Sequence, residues 1–296
     1  MNTWKERFGK IILILPIYTW LILFILIPFL MTLKISLSTD YGQNIVQKLE
    51  QGTLQITLYF QSYCQLFTDP FYKSVMWSSF SIAGITTIIT ALMGVSMAYA
   101  IFKTNERWRL ILLLAVVLPL CTSFLMRVYA WMELLSSNGL VNKLLLWFKI
   151  VNTPIPFIGN WYAVVIGTVY CYLPFMVLPI YAQLSKVDKT LLEASSDLGA
   201  RPYQTFWHIT LPLIFPGIIT GCILVFIPVM GEFIIPELLG SAEIVTLGRA
   251  IQWEFFTQHN WIMTSSIAII TLMLFVIPTI VFQVLNSVKE VRENQD

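Results

Sequence analysis

The chain has 296 residues, 57% of them apolar or aromatic and only 11% charged, with a formal net charge of +2. Soluble domains carry roughly 25% charged residues. With a mean hydropathy of +0.76, the composition excludes an ordinary globular enzyme, a disordered chain and a nucleic-acid binder, which would need a dense basic face.

Runs without charge mark six helices that cross a membrane, each close to the roughly 20 residues a bilayer requires. The first lies between Lys10 and Lys34, over 11–33, and reads as an uncleaved anchor because no small-residue cleavage site follows Leu33. The second lies between Lys73 and Lys103, over 75–102. The third, over 110–132, is interrupted by a single Arg127. The fourth covers 161–184, the fifth 213–235, free of charge as far as Gly231, and the sixth 262–288. Barrel strands would alternate polar and apolar residues, which these runs do not. Pro16, Pro28, Pro119, Pro174, Pro179, Pro228 and Pro278 predict kinked spans, because each removes a backbone donor. The expected fold is therefore an all-α integral membrane bundle in lipid, a single domain over 1–296.

Orientation follows from the 18 Lys and Arg residues. With the N-terminus inside, eleven fall on inner segments: Lys5, Arg7, Lys10, Lys103, Arg107, Arg109, Lys186, Lys189, Arg201, Lys289 and Arg292. The outer loops hold the other seven, although together they are longer. The positive-inside rule then predicts that both termini are cytoplasmic. Cys64, Cys121, Cys171 and Cys222 form no C-x-x-C pair, and three of them lie in apolar runs, so they read as small hydrophobes.

The inner loop over 185–212 is the most informative stretch. Asp188–Leu198 has helical periodicity, with Leu191, Ser195 and Leu198 on one face, Leu192 at its edge, and Glu193 and Asp197 on another. Gly199 suits the residue of positive φ that ends a helix. Pro202 suits the first turn of a second short helix, Pro202–Ile209, and Pro212 and Pro216 punctuate the approach to the fifth span. The prediction is an L-shaped helix–turn–helix lying flat beneath the membrane, with a surface fit for docking another protein.

Glu193-Ala194-Ser195, three residues, Gly199, nine residues and Ile209-x-Leu211-Pro212 resemble the EAA loop of binding-protein-dependent ABC importer permeases. The motif departs from the family only at Ser195, where a third small Ala is usual. The resemblance covers the membrane core. Further along, Pro216-Gly217 with Gly221, Phe226-Ile227-Pro228 with Gly231-Glu232-Phe233, and Pro236-Glu237-Leu238-Leu239-Gly240 are similar to spermidine/putrescine permease subunits of the B/H type. So are Glu254-Phe255-Phe256 and Asn260-Trp261.

The resemblance implies a type I ABC importer permease fold of six spans with a cytoplasmic coupling helix in the bacterial inner membrane. It implies two ATP-binding cassette subunits, a second six-span permease that is a paralogue of this chain, and a soluble substrate-binding protein on the outer side. No G-x-x-x-x-G-K-[ST] phosphate loop occurs in the chain, so ATP and Mg are expected on the partner ATPase, no cofactor on this chain, and no enzymatic activity of its own. Leu191, Leu192, Glu193, Ala194, Ser195, Leu198, Gly199, Ala200, Pro202, Leu211 and Pro212 are the expected coupling residues. The expected cargo is a polyamine; iron, phosphonate or sulfate are the competing solutes, and a stand-alone channel or secondary transporter the competing class.

For the pathway, Glu232 lies in or near the fifth span, where a carboxylate is costly and faces a cavity or a partner. It reads either as paired with Arg127 or Arg249, or as part of an anionic surface, with Glu237, that receives an ammonium group. Glu133, with Tyr129 and Trp131, is a second candidate, since aromatic faces attract alkylammonium groups. His208 and His259 have no ligand constellation and read as surface residues. An intramembrane hydrolase is disfavoured by the absence of Gly-x-Ser-x-Gly and His-Glu-x-x-His.

Overall fold

The computed structural model describes residues 14–38, 46–48, 54–56 and 59–293. The N-terminal bases Lys5, Arg7 and Lys10, the start of the first expected span and parts of the stretch 39–58 that follows it lie outside the described residues, as do the side chains of Lys289 and Arg292. The chain divides into two compact units, residues 74–249 and residues 1–73 with 250–296.

In the second of these units, helix α1 (Ile14–Ser36) is apolar on every side, and none of its most hydrophobic window is buried within the chain. A helix with Trp20 and Phe24 more than half exposed belongs in lipid or against another subunit. A hairpin follows, β1 (Val46–Lys48) antiparallel to β2 (Leu54–Ile56), with Gln47 opposite Gln55. Helix α2 (Gln61–Thr68) comes next, and Tyr63 Oη donates to Ser36 Oγ at 2.7 Å, tying it to the end of α1. The last helix, α12 (Trp261–Glu293), packs on α1 and α2.

The unit 74–249 holds most of α3 (Pro70–Lys103), then α4 (Glu106–Val117) with a 3-10 turn Leu118–Cys121, α5 (Phe124–Leu135), α6 (Leu140–Trp147) and α7 (Trp161–Leu184). It continues with α8 (Lys189–Asp197), α9 (Pro202–Met230), α10 (Ile234–Leu239) and the start of α11 (Leu247–Phe256). Its core is the pair α7 and α9, joined through small residues. Gly217 and Gly221, four apart on α9, present a bare backbone to α7, as membrane helices do where van der Waals contact replaces the hydrophobic effect. A Cβ at Gly217 would stand 2.8 Å from the Pro179 carbonyl oxygen, and one at Gly221 2.6 Å from Met176 Sδ. Met176 is fully buried and also fills the space beside Gly94 of α3, so one side chain packs three helices together.

Among the described residues, four helices are long and apolar enough to cross a membrane: α1, α3, α7 and α9. The span expected over 110–132, with Pro119 as a kink, is sharply bent. Glu106–Cys121 and Phe124–Trp147 pass the same test only together, and they bend by 95°. Pro119 withdraws a backbone donor, Thr122 Oγ1 donates back to the Pro119 carbonyl at 2.7 Å, and Thr122 and Ser123 are extended. In α12 the stretch Trp261–Ile277 is apolar.

Two π-turns share one cause. Ile22–Leu26 precedes Pro28, and Phe206–Thr210 precedes Pro212. In each, the wider turn leaves the proline within the first two residues of the following α-segment, where the missing donor costs little. The expected separate helix Pro202–Ile209 is therefore corrected. It runs without a break into the fifth apolar helix, and α9 is a rod of 29 residues. That helix ends at Met230, five residues before its expected limit.

Candidate functional site

The elbow over 188–212 is built from local rules. Asp188 caps α8: its Oδ1 accepts from the Thr190 backbone N–H at 3.0 Å, and this bond holds the exposed carboxyl below the usual carboxylate range. At the other end Gly199 sits at φ +81°, the left-handed region. The Ala200 N–H donates to the Ser195 carbonyl at 3.1 Å and the Gly199 N–H to the Ser196 carbonyl at 2.9 Å, a Schellman closure. Immediately after it, the Arg201 N–H donates to Gln204 Oε1 at 2.8 Å, and Pro202 occupies the first turn of α9. One stop signal and one start signal are separated by two residues, which makes the corner short and stiff.

Ser195 and Thr205 close the inside of that corner. Their hydroxyls are 2.8 Å apart and both residues are buried. The serine that departs from the family's alanine thus bonds the two arms to each other. The outside is open: Leu198 is 88% exposed and Leu191 50%, and Glu193, Ala194, Gly199, Pro202 and Pro212 are exposed too. Leu192, Ala200 and Leu211 are half-buried. Leu198 therefore does not share a buried face with Ser195. Exposed leucines on a polar helix need a cover. Beside α8, Leu192 and Glu193 line a cleft of about 370 Å³ with Phe102, Lys103, Thr104, Asn105, Glu106 and Arg109, from the turn joining α3 to α4. Arg109 fixes that turn, donating from Nη2 to the Phe102 carbonyl at 2.8 Å.

Glu232 lies in the break between α9 and α10 and is 9% exposed. Tyr172 Oη of α7 donates to its Oε2 at 2.7 Å, while the N–H groups of Phe233 and Ile234 donate to Oε1 at 3.1 and 2.9 Å. The carboxylate caps α10 and anchors it to α7, and Thr246 Oγ1 donates to the Glu232 carbonyl at 2.9 Å. The pairing of Glu232 with Arg127 or Arg249 is corrected. Arg249 Nε meets Glu237 Oε2 at 2.6 Å, whereas Arg127 lies over the Phe124 ring with Nη1 3.5 Å from the Cys171 carbonyl.

The other pathway candidates stand apart on α5. Trp131 packs edge-on against Tyr170 with centroids 5.4 Å apart, and Tyr129 and Glu133 are exposed. Among the described residues, no hydrogen bond or ring contact joins them to Glu232 or Glu237. Sequence reading missed Tyr172, Thr205 and Thr246, whose partners lie 60, 10 and 14 residues away in the chain.

An apolar helical bundle whose helices meet through glycines and whose exposed polar corner is two short rigid arms has the architecture of a transporter permease. A chain of a bacterial ABC transporter involved in the import of the acidic polysaccharide alginate superposes on it with a TM-score of 0.72 at 17% identity, covering 94% of this chain and 95% of that one. A chain of the MetNI methionine ABC transporter superposes with a TM-score of 0.55 over 72% of this chain and 94% of that one, at 15% identity. The chain belongs to the family of binding-protein-dependent transport system inner membrane components, whose sequence model matches residues 90–289. It is 40% identical over 269 residues to the spermidine/putrescine transport system permease protein PotB of Haemophilus influenzae, 91% of each chain. To PotB of Escherichia coli it is 36% identical over 249 residues, 84% of this chain and 87% of that one. It is a multi-pass inner membrane protein of the ABC permease class.

Proposed function

We propose that the chain is one of the transmembrane subunits of an ATP-driven importer of polyamines, spermidine or putrescine. The identity to PotB proteins over most of both chains supports this reading most strongly. In this reading six spans, the third of them bent at residues 122–123, form half of the translocation path. A second six-span permease, a paralogue, forms the other half. Both termini and the elbow face the cytoplasm, and a binding protein delivers cargo from the opposite side.

The elbow seats on an ATPase subunit through Leu191, Leu198, Glu193 and Ala194, and the partner holds ATP and Mg. Closure of the ATPase pair draws the two elbows of the complex together. Because α9 continues from the elbow without a joint, displacement of its lower end passes directly to α7 through the Gly217 and Gly221 contact. Rigid elements with discrete packings carry such motion. Leu211 and Pro212 sit where the π-turn meets the α-segment of that rod. Glu237, Tyr129, Trp131 and Glu133 face the path at its outer half, while the buried Glu232 holds α10 against α7 beside it.

The test is uptake by the reconstituted complex of this chain, its paralogue, the ATPase and the binding protein. Labelled spermidine or putrescine should enter only with internal ATP, and unlabelled sulfate, phosphonate or sugar should not compete. Uptake without ATP, or competition by an anion, would overturn the reading.

A further inference from the structure

A second polar cavity lies within the unit formed by residues 1–73 and 250–296. It measures about 480 Å³ and is lined by Gln65 and Asp69 from the end of α2, Phe71 and Tyr72 from the start of α3, and Trp253 and Glu254 from α11. Gln258 and Asn260 of the following turn complete its wall.

The carboxylate of Glu254 dominates its chemistry. The residue is 4% exposed, its Oε1 accepts from Tyr72 Oη at 2.6 Å, and among the described residues no ion pair balances its charge. A buried carboxylate without a counter-ion is expensive unless something supplies the opposite charge. Asp69 adds a second carboxylate; its Oδ1 accepts from the Phe71 N–H at 2.8 Å. Two aromatic rings, Phe71 and Trp253, line the same cavity, each 41% exposed, with centroids 6.2 Å apart. His259, at φ +53°, turns the chain back so that the Asn260 N–H reaches the Glu254 carbonyl at 2.9 Å. Non-glycine residues are held in that region only where their surroundings fix them.

A metal ion is a poor match, because no third Asp, Glu, His or Cys completes a ligand set among the described residues. Two carboxylates beside aromatic faces suit a primary alkylammonium: its three N–H donors meet the carboxylate and amide oxygens, and its methylenes lie along Trp253 and Phe71. We infer that this cavity is a subsite for the terminal ammonium of a free polyamine, occupied as cargo leaves the binding protein. The inference rests on the polyamine reading and on the outward placement of this end of the chain in that reading.

The test uses the complete transporter in proteoliposomes with its binding protein. A diazirine-tagged spermidine should form adducts at Trp253 or Phe71 of the unaltered complex, and excess spermidine but not sulfate should suppress them. Glu254→Gln keeps an acceptor for Tyr72 but removes the charge; it and Asp69→Asn should each lower the adducts and the uptake at saturating loaded binding protein about tenfold, as loss of a charge-assisted hydrogen bond does. Affinity for the empty binding protein should not change. If the unaltered complex imports polyamines but forms no adducts there, the subsite is overturned and the polyamine reading stands. If the variants weaken docking of the empty binding protein, the cavity takes a basic side chain of that partner and the inference is likewise overturned. If the unaltered complex imports no polyamine at all, the functional reading fails and the subsite fails with it.

Discussion

Gly199 offers the sharpest perturbation of the elbow. Its φ of +81° is reached by a residue with a Cβ only at a cost of about 1–2 kcal/mol. No atom lies within 4 Å of where that Cβ would stand, so backbone strain is the whole effect and steric crowding adds nothing. At 1.4 kcal/mol per factor of ten, such strain lowers the population of the bent corner by roughly 5- to 30-fold. The Schellman bonds from Gly199 and Ala200 would open, and the two arms would no longer move as one body. Uptake should therefore fall moderately in Gly199→Ala and to near background in Gly199→Val, whose branched Cβ is worse still in this region. Gly199→Asn should retain most activity, because asparagine tolerates the left-handed conformation. The assay is labelled spermidine uptake into membrane vesicles, normalised to the amount of this chain in the membrane, with ATP hydrolysis measured in parallel. Loss of uptake with ATP hydrolysis preserved is the expected signature of a broken lever. Unimpaired uptake in the valine variant would refute the reasoning. So would an asparagine variant as damaged as valine, since that would point to a side-chain contact instead.

Gly217→Ala should destabilise the purified protein by about 1–3 kcal/mol, seen as a lower Tm in detergent, because its methyl group meets the Pro179 carbonyl. Gly84→Ala, with open space around it, should be neutral or slightly stabilising. Ser195→Ala restores the family's usual residue yet should cost about 1 kcal/mol by leaving the buried Thr205 hydroxyl only its long 3.5 Å bond to the Arg201 carbonyl, and the double variant with Thr205→Val should recover most of that loss in the same melt. Tyr172→Phe should cost about 1–3 kcal/mol, because Glu232 loses its hydroxyl donor. Tyr170→Phe, on the same helix but packed only by its ring among the described residues, should melt like the unaltered protein.

Much of this architecture is written in local signals. Charge-free runs locate α1, α3, α7 and α9 because burial in lipid leaves no tolerance for unpaired charge. The elbow is legible because a helix stop at Gly199 and a helix start at Pro202 depend on single residues and not on distant partners. The 95° bend was not legible: hydropathy over 110–132 is the same whether the helix is straight or broken, and one proline does not say how far its neighbours turn. The continuity of α9 was hidden because Pro212 looks like a breaker until a π-turn shifts the register around it. Glu232 stood out as a costly carboxylate, but its donor Tyr172 is 60 residues away, and no periodicity links the two. The bond between Tyr72 and Glu254 spans 182 residues and was equally out of reach.

The central claim is that the exposed corner carries force from an ATPase in the cytoplasm. It is tested most directly by a single cysteine at Ala194 or Leu198 in a variant whose four native cysteines are replaced by serine. In intact cells the thiol should resist a membrane-impermeant maleimide. In isolated complex it should cross-link to the ATPase subunit, with a yield that changes when ATP binds. Labelling from outside intact cells, or a cross-link to the binding protein instead, would contradict the account.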